Sequence, residues 1–268
     1  FREKNNELRK KINLHEARGE DSFTPNSIEL FGKPTAEDLK TVSLILKAKN
    51  NVQEEPEEIN ADDAKKIFTQ AFKSYGLSSW KVEMKDNLVT NCVAGKNNHL
   101  FLKKSAIFSM ARIKNLTIHE IETHIITAEN GKNQPYTLFN RGFGDYLTTQ
   151  EGLALYNVKI QGLETDFDRL YQAALVKATD LAFQLSFADL FIKLLDIGLS
   201  QNRAFRICVK LKRGLSDTSQ QGVFTKDYIY FKGEKQVENL LLKVEKLKTS
   251  ILENLTFKTW NISKKSRA

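Results

Sequence analysis

The chain has 268 residues, 41% of them hydrophobic, so it can bury a substantial core as one large domain or two small ones. Its net charge of +8 would attract acidic partners, but its lysines are scattered among acids, which is typical of a solvated surface. No apolar run approaches the roughly 18 residues of a membrane span, the first residues form no signal peptide, and two cysteines provide no disulfide framework, so we expect a soluble cytoplasmic protein that does not enter membranes.

The first segment, residues 1–26, is polar and charged. We expect it to form a loose helix or an arm in front of the main domain. Pro25 and Pro34 then bracket Ser27–Gly32, which predicts a short extended or turn segment.

Two helices are predicted next. One runs from Thr35 to about Lys49, with Asp38 in a capping-box position. The other is capped by Asn60, its apolar residues follow the helical period, and it ends at Gly76. We interpret residues 27–76 as a helical scaffold.

The pattern changes from helical to extended after this scaffold. Apolar residues alternate at Trp80, Val82 and Met84, and the runs 90–94 and 100–102 follow with short turns between them. This pattern predicts three strands, which we expect to be antiparallel. An edge strand of such a sheet could bind a peptide as an additional strand.

The stretch Thr117–His124 carries two of the four histidines in the chain. His119 and His124 lie five residues apart, and Glu120 follows the first of them directly. Neutral imidazoles and carboxylates bind zinc, which lowers the pKa of a bound water, and a neighbouring carboxylate can then take that water's proton. We interpret the stretch as a zinc site of the peptidase type. The alternative is that the histidines are ordinary polar residues of a helix.

The five-residue spacing sets a structural condition on this interpretation. Side chains five apart on an ideal α-helix point about 140° away from each other. His119 and His124 can therefore share an ion only if the helix is widened, as in a π-bulge, or ends there. The motif predicts a local distortion.

A third ligand is available further along the chain. Glu151 follows Thr148 and Thr149, either of which could cap a helix with Glu151 in its first turn. A glutamate from a second helix completes the two-histidine, one-glutamate zinc sites of peptidases. The alternative is that Glu151 only interacts with the helix dipole.

Several motifs in combination resemble the tyrosine carboxypeptidase family, whose vertebrate members are the microtubule-associated tyrosine carboxypeptidases and whose bacterial members carry a Gln-Glu-Gly-Leu-Ala motif. The similarity extends from about Ser27 to about Gly233. It is carried by His119-Glu120-x-x-x-His124, Asn130-Gly131, Gln134-Pro135, Gln150-Glu-Gly-Leu-Ala154 and Gly222-Val-Phe-Thr-Lys-Asp-Tyr-Ile-Tyr-Phe-Lys-Gly233.

The resemblance implies a set of roles for these residues. Zinc would be bound by His119, His124 and Glu151, with Glu120 as the general base. In vertebrate members the reaction removes the C-terminal tyrosine of α-tubulin, which implies a peptide or protein C-terminus as partner, such as an acidic tail. The match to the last motif also favours Lys226 or Tyr230 as a donor to the oxyanion of the reaction.

A carboxypeptidase must also hold the terminal carboxylate of its substrate, and an arginine does this through two parallel hydrogen bonds. Arg141, in the connection between the two ligand-bearing segments, is one candidate. Arg203, Arg206 and Lys226 are others, and each could equally be a surface residue.

The remainder of the chain is predicted to be helical. Successive helices fill residues 162–214, with breaks near Ser186 and at Gly198, and an amphipathic helix over residues 234–255 is expected to pack on the core. We therefore predict an α+β fold, mostly helical, with a small antiparallel sheet before the metal-binding helix, as in zincins. Residues 27–268 would form one metallopeptidase domain, with a catalytic core at 77–233 and a C-terminal helix at 234–268.

The motif thus predicts a zinc peptidase, and the resemblance implies a metallocarboxypeptidase that releases tyrosine or another aromatic residue. A pseudoenzyme or regulatory binding module with a non-catalytic metal site is the alternative, although a structural zinc would normally have a fourth protein ligand. No recognised nucleic-acid-binding motif is found, so nucleic acid is not the expected partner.

Overall fold

The computed structural model describes residues 1–48 and 55–265, without the side chains of residues 140, 141, 247 and 249–265. Most of the described residues are helical, and the structure also contains two small sheets, one of two strands and one of three. The predicted α+β class is confirmed. None of the described helices has both the length and the apolarity that a membrane span requires.

Three helices open the chain: α1 (Arg2–Glu16), α2 (Phe23–Phe31) and α3 (Ala36–Lys47). The extended or turn segment predicted at Ser27–Gly32 is wrong, because helix α2 runs through it. Pro25 is the third residue of α2, in the first turn, where its missing N–H removes no helical hydrogen bond. Helix α3 has the predicted capping box, in which Thr35 and Asp38 bond reciprocally. Lys49, the predicted end of this helix, lies outside the described residues.

Helix α1 belongs to the packed structure. Leu14 and Ala17 are buried in a cluster with Phe23, Phe31 and Ile229. The apolar burial of residues so far apart in sequence anchors the N-terminal segment to the C-terminal part of the chain.

The next elements form the sheets. They are β1 (Ile59–Asn60), α4 (Ala61–Ser74), β2 (Lys81–Lys85), β3 (Cys92–Ala94), β4 (His99–Lys103) and β5 (Ile107–Phe108). Asn60 caps α4 as predicted, accepting a hydrogen bond from the main-chain N–H of Asp63. Strands β1 and β5 form an antiparallel pair.

The three predicted strands are present, but their arrangement differs from the prediction. The strand order is β2-β4-β3, with β4 antiparallel to β3 and parallel to β2. The sheet is mixed because β4 returns between its two predecessors instead of extending a meander. Strand β3 is consequently an edge strand, and it faces the segment that carries the histidines.

That segment is one continuous helical rod: α5 (Met110–Leu116), a π-helix (Thr117–Ile125) and α6 (Ile126–Lys132). The short helix α7 (Thr137–Arg141) leads to α8 (Tyr146–Ile160). Ile113, Leu116, Ile121 and Ile125 are buried in a core with α4 and the three-stranded sheet. This packing supports the histidine-bearing rod along its apolar side.

Three further helices, α9 (Asp166–Leu181), α10 (Phe187–Asp196) and α11 (Gln201–Lys212), form a second core. Lys212 is 1% exposed, and its ammonium donates to four main-chain carbonyls at 2.5–3.3 Å. The acceptors belong to Ala182, Leu185, Gln220 and Gly222. This single buried group therefore ties the end of α9 to the loop that follows α11.

The last motif is helical. A 3₁₀ turn (Thr225–Asp227) leads directly into α12 (Tyr228–Lys265), so the predicted C-terminal helix starts earlier than residue 234. Asp38 accepts hydrogen bonds from Tyr228 and Lys235, which fixes the first turns of α12 against α3. Residues 266–268 lie outside the described part.

The core assignment for the later part of α12 is wrong for the described side chains. Val237 is buried, but Leu240, Leu241 and Val244 are exposed. Among the described side chains of α12, the buried apolar ones therefore lie in its first part, up to Val237. The amphipathic pattern predicted for residues 234–255 also includes Leu247, Ile251 and Leu255, whose side chains lie outside the described residues.

Candidate metal centre

The histidine-bearing segment has the distortion that the spacing predicts. Residues Thr117–Ile125 form a π-helix, in which a residue lies above the one five positions before it. The imidazole rings of His119 and His124 consequently converge, with centroids 4.8 Å apart and planes at 86°. The prediction of a locally widened helix is confirmed.

Helix α8 brings Glu151 to these rings. Its Oε2 lies 3.3 Å from Nε2 of His119 and 3.4 Å from Nε2 of His124. Neither Thr148 nor Thr149 caps this helix, because α8 already begins at Tyr146 after Asp145, and Glu151 lies in its second turn. The predicted cap is therefore wrong, while the three residues proposed as ligands are brought together.

The electrostatics of this cluster follow from its burial. Desolvation alone would raise the pKa of Glu151, but the two adjacent imidazoles outweigh it and lower that pKa to about 2. Desolvation likewise acts to lower the pKa of His124, yet the Glu151 carboxylate raises it. Glu151 is therefore ionised, as a metal ligand must be.

The geometry fits a shared cation. Two ligands about 2.1 Å from a tetrahedral ion lie about 3.4 Å apart, close to the two separations observed here. Oε2 of Glu151 is buried and, among the described residues, no donor meets it in hydrogen-bonding geometry. A buried carboxylate oxygen without such a partner is costly unless another positive group binds it. Two imidazole nitrogens and one carboxylate oxygen suit zinc.

Glu120 lies beside this cluster and is held by the sheet. Its side chain is buried, and Oε2 accepts a hydrogen bond of 2.7 Å from the main-chain N–H of Ala94 on edge strand β3. One bond from a fixed backbone donor orients the carboxylate without neutralising it. No feature of the sequence points to this role of Ala94, since any residue except proline could supply the main-chain N–H.

Tyr230 lies against His119 of this cluster. Its ring is nearly parallel to that of His119, at 27°, with centroids 6.3 Å apart. Burial raises the pKa of the Tyr230 hydroxyl well above its usual value, and the negative charges of Glu151 and Asp227 raise it further. The hydroxyl therefore remains a neutral donor.

A close crossing of α8 and α12 makes this arrangement possible. A Cβ added at Gly152 would lie 2.0 Å from the carbonyl carbon of Gly233, and one added at Gly233 would lie 2.0 Å from the carbonyl oxygen of Thr148. Only glycine fits at both positions. The crossing brings together the segments that carry Glu151, adjacent to Gly152, and Tyr230, three residues before Gly233.

Two of the remaining predicted site residues, Lys226 and Arg203, have no described contact with the cluster. Lys226 is in the 3₁₀ turn, and within the described part no hydrogen bond or ion pair joins it to the cluster. Arg203 binds Glu57 at 3.1 Å and lies over the rings of Phe167 and Tyr171.

Arg206 and Arg141 are the two further candidates for binding the terminal carboxylate of the substrate. Arg206 is exposed on α11. Arg141 ends α7 between the two ligand-bearing helices, but its side chain lies outside the described residues.

Comparison with known proteins gives the context of this cluster. The matches include Microtubule-associated tyrosine carboxypeptidase 1 from Mus musculus and Rattus norvegicus, each 36% identical over 121 residues, and from Homo sapiens, 35% identical over 121 residues. In each case the match covers 43% of this chain and 25% of the relative, so the chain corresponds to about a quarter of their length. A family model described as microtubule-associated tyrosine carboxypeptidase matches residues 1–258, beyond both ends of the similarity noted in the sequence. The chain therefore belongs to the microtubule-associated tyrosine carboxypeptidase family.

Proposed function

We propose that this protein is a zinc metallocarboxypeptidase that hydrolyses the C-terminal peptide bond of a peptide or protein. The observation that carries the proposal is the convergence of His119, His124 and Glu151. The Oε2 atom of Glu151 is buried there and has no hydrogen-bond partner in the described structure. Glu120 lies beside them, buried and oriented. Three protein ligands leave one coordination position for water, which is the arrangement of a catalytic rather than a structural zinc.

His119, His124 and Glu151 would hold the ion. Bound zinc would lower the pKa of a water molecule towards neutrality and polarise the scissile carbonyl. Glu120 accepts the proton of the attacking water and delivers it to the departing amine nitrogen. Because the N–H of Ala94 holds Oε2 of Glu120, the carboxylate keeps one orientation during both transfers.

Tyr230 supplies a hydrogen bond to the developing oxyanion in this proposal. Its raised pKa keeps the hydroxyl protonated throughout the physiological range, so it can donate. A positioned donor of this kind typically contributes a factor of about 10² to 10³ in rate. Lys226, the other candidate, is less supported because it has no described contact with the cluster.

The substrate would be a C-terminus ending in tyrosine or another aromatic residue. The names of the relatives, which refer to tyrosine and to microtubules, support this choice. The net charge of +8 favours an acidic tail, such as that of tubulin, and a cytoplasmic location follows from such a partner. Arg141 and Arg203 remain the candidates for the terminal carboxylate.

The experiment compares the native protein with two matched variants on peptides that end in tyrosine, phenylalanine or alanine. Glu120→Gln should bind zinc normally and lose hydrolysis. Glu122→Gln changes a neighbouring carboxylate of the same π-helix, which instead contacts Tyr75 and Gln161, and should retain activity.

Release of the terminal aromatic residue, abolished by a chelator and by Glu120→Gln alone, is the expected result. Zinc binding without hydrolysis of any peptide or of tubulin would favour a pseudoenzyme or a regulatory binding module. Undiminished hydrolysis by Glu120→Gln would remove Glu120 from the role of base.

A further inference from the structure

A buried threonine and a half-buried asparagine connect the π-helix to helix α8. Thr123 is 1% exposed, and its hydroxyl donates a hydrogen bond of 2.9 Å to the carbonyl oxygen of Ile118. The same hydroxyl accepts a bond of 3.0 Å from the side-chain amide of Asn157. Thr123 lies on the helix of the two histidines, and Asn157 lies on the helix of Glu151.

The bond of Thr123 has an unusual span. In an α-helix a threonine hydroxyl reaches the carbonyl three or four residues earlier. Thr117 does so towards Ile113, and Thr179 towards Leu175. The Thr123 hydroxyl instead bonds to the carbonyl five residues earlier, which is the span of the main-chain hydrogen bonds in a π-helix. This hydroxyl therefore fits the widened turn, and it would lose this acceptor if the segment returned to α-helical geometry.

The span of this bond coincides with that of the histidines. Ile118 immediately precedes His119, and Thr123 immediately precedes His124. The two bonded residues are therefore separated by the same five-residue interval of the π-helix as the two histidines, shifted by one residue. Asn157 then fixes this π-helical register against the helix that supplies Glu151. The two bonds thus link the segments that carry all three side chains of the cluster.

Resting on the function proposed above, we propose that Thr123 and Asn157 are positioning residues that hold the π-helical register and so keep His119, His124 and Glu151 convergent. Without the Thr123 hydroxyl, the amide of Asn157 loses its acceptor, and the carbonyl of Ile118 loses a donor. The π-helical turn then loses its side-chain support. In an α-helical turn the two histidines would diverge by about 140°.

The test measures metal binding, not hydrolysis. Zinc affinity is measured by competition with a chelator, and the geometry of the site by the visible absorption of the cobalt(II)-substituted protein. Thr123→Val removes the hydroxyl at nearly constant shape, Thr123→Ser restores it, and Asn157→Leu removes the second bond only. Thr117→Val is the matched control, because it deletes an ordinary four-residue bond from the first residue of the π-helix back to Ile113 of α5.

We expect Thr123→Val and Asn157→Leu to weaken zinc binding by about 10- to 100-fold, the usual effect of losing a group that orients metal ligands. Their cobalt spectra should lose the intensity of a four-coordinate site. Thr123→Ser and Thr117→Val should match the native protein in both measurements.

The outcomes separate this inference from the proposed function. Native-like zinc affinity and cobalt spectra in both Thr123→Val and Asn157→Leu would overturn the positioning role while leaving the metal site intact. A loss in Thr123→Ser equal to that in Thr123→Val would also overturn it, since the hydroxyl would then be irrelevant. If Thr123→Val does not fold, Thr123→Ser and Asn157→Leu decide. A native protein that binds neither metal would instead refute the proposed function itself.

Discussion

Substituting Gly152 by alanine tests how closely α8 and α12 must approach to build the site. In the interior of a helix, alanine is normally about 1 kcal/mol more stabilising than glycine. At Gly152 the new Cβ would lie 2.0 Å from the carbonyl carbon of Gly233, 1.4 Å short of the 3.4 Å at which ordinary contact begins. The obstacle is main chain, which cannot rotate away, so the two helices must separate.

Overpacking of this kind costs about 1–3 kcal/mol, and a backbone obstacle places Gly152→Ala near the upper end. We expect a loss of about 2–3 kcal/mol in the free energy of unfolding, measured by urea denaturation. Zinc affinity should fall as well, because Glu151 precedes the crossing residue directly. Thr149→Ala, at an exposed position of the same helix, should change neither quantity appreciably. A Gly152→Ala protein as stable as the native one, or more stable by about 1 kcal/mol, would refute the close crossing.

Three further substitutions test other parts of the structure. Lys212→Met deprives four main-chain carbonyls of their donor and should cost about 2–4 kcal/mol in thermal or urea unfolding; an unchanged midpoint would contradict the buried bonding of the ammonium. Asp38→Asn should lower the free energy of unfolding at pH 7. Burial alone would raise the pKa of Asp38, but hydrogen bonds from Thr35, Tyr228 and Lys235 outweigh it and lower that pKa, so the difference from the native protein should shrink as the pH falls below 3.8 and the carboxylate becomes protonated. A difference in the free energy of unfolding that does not change with pH would contradict this. Tyr230→Phe should lower kcat by about 10²-fold with zinc content unchanged, and an unaltered kcat would exclude the hydroxyl as oxyanion donor.

The sequence predicted the unusual local feature of the site because the chemistry left few alternatives. Two histidines five apart cannot share an ion on a regular α-helix, so the motif implied either a widened helix or a helix end, and a π-helix is found at Thr117–Ile125. The caps at Thr35 and Asn60 were predictable for a similar reason, since each depends on residues only three positions apart.

Features that depend on distant residues were not predictable in this way. Whether β4 would pair with β2 in parallel is decided by packing between segments, and the alternation of apolar residues carries no information about strand direction. The segment Ser27–Gly32 was misassigned because a proline suits the first turn of a helix as well as a loop. The contact of Gly152 with Gly233 joins residues far apart in sequence, and glycine leaves no hydrophobic period from which a contact could be inferred.

The most direct test of the account is the metal content of the purified protein, measured by mass spectrometry after zinc has been supplied and excess metal removed by dialysis. We expect about one zinc ion per chain, bound by the three residues that converge between the π-helix and α8. Glu151→Ala should lower this content sharply, whereas Glu122→Gln should not. A folded native protein that retains no zinc, or a Glu151→Ala variant that retains as much as the native protein, would contradict the central claim.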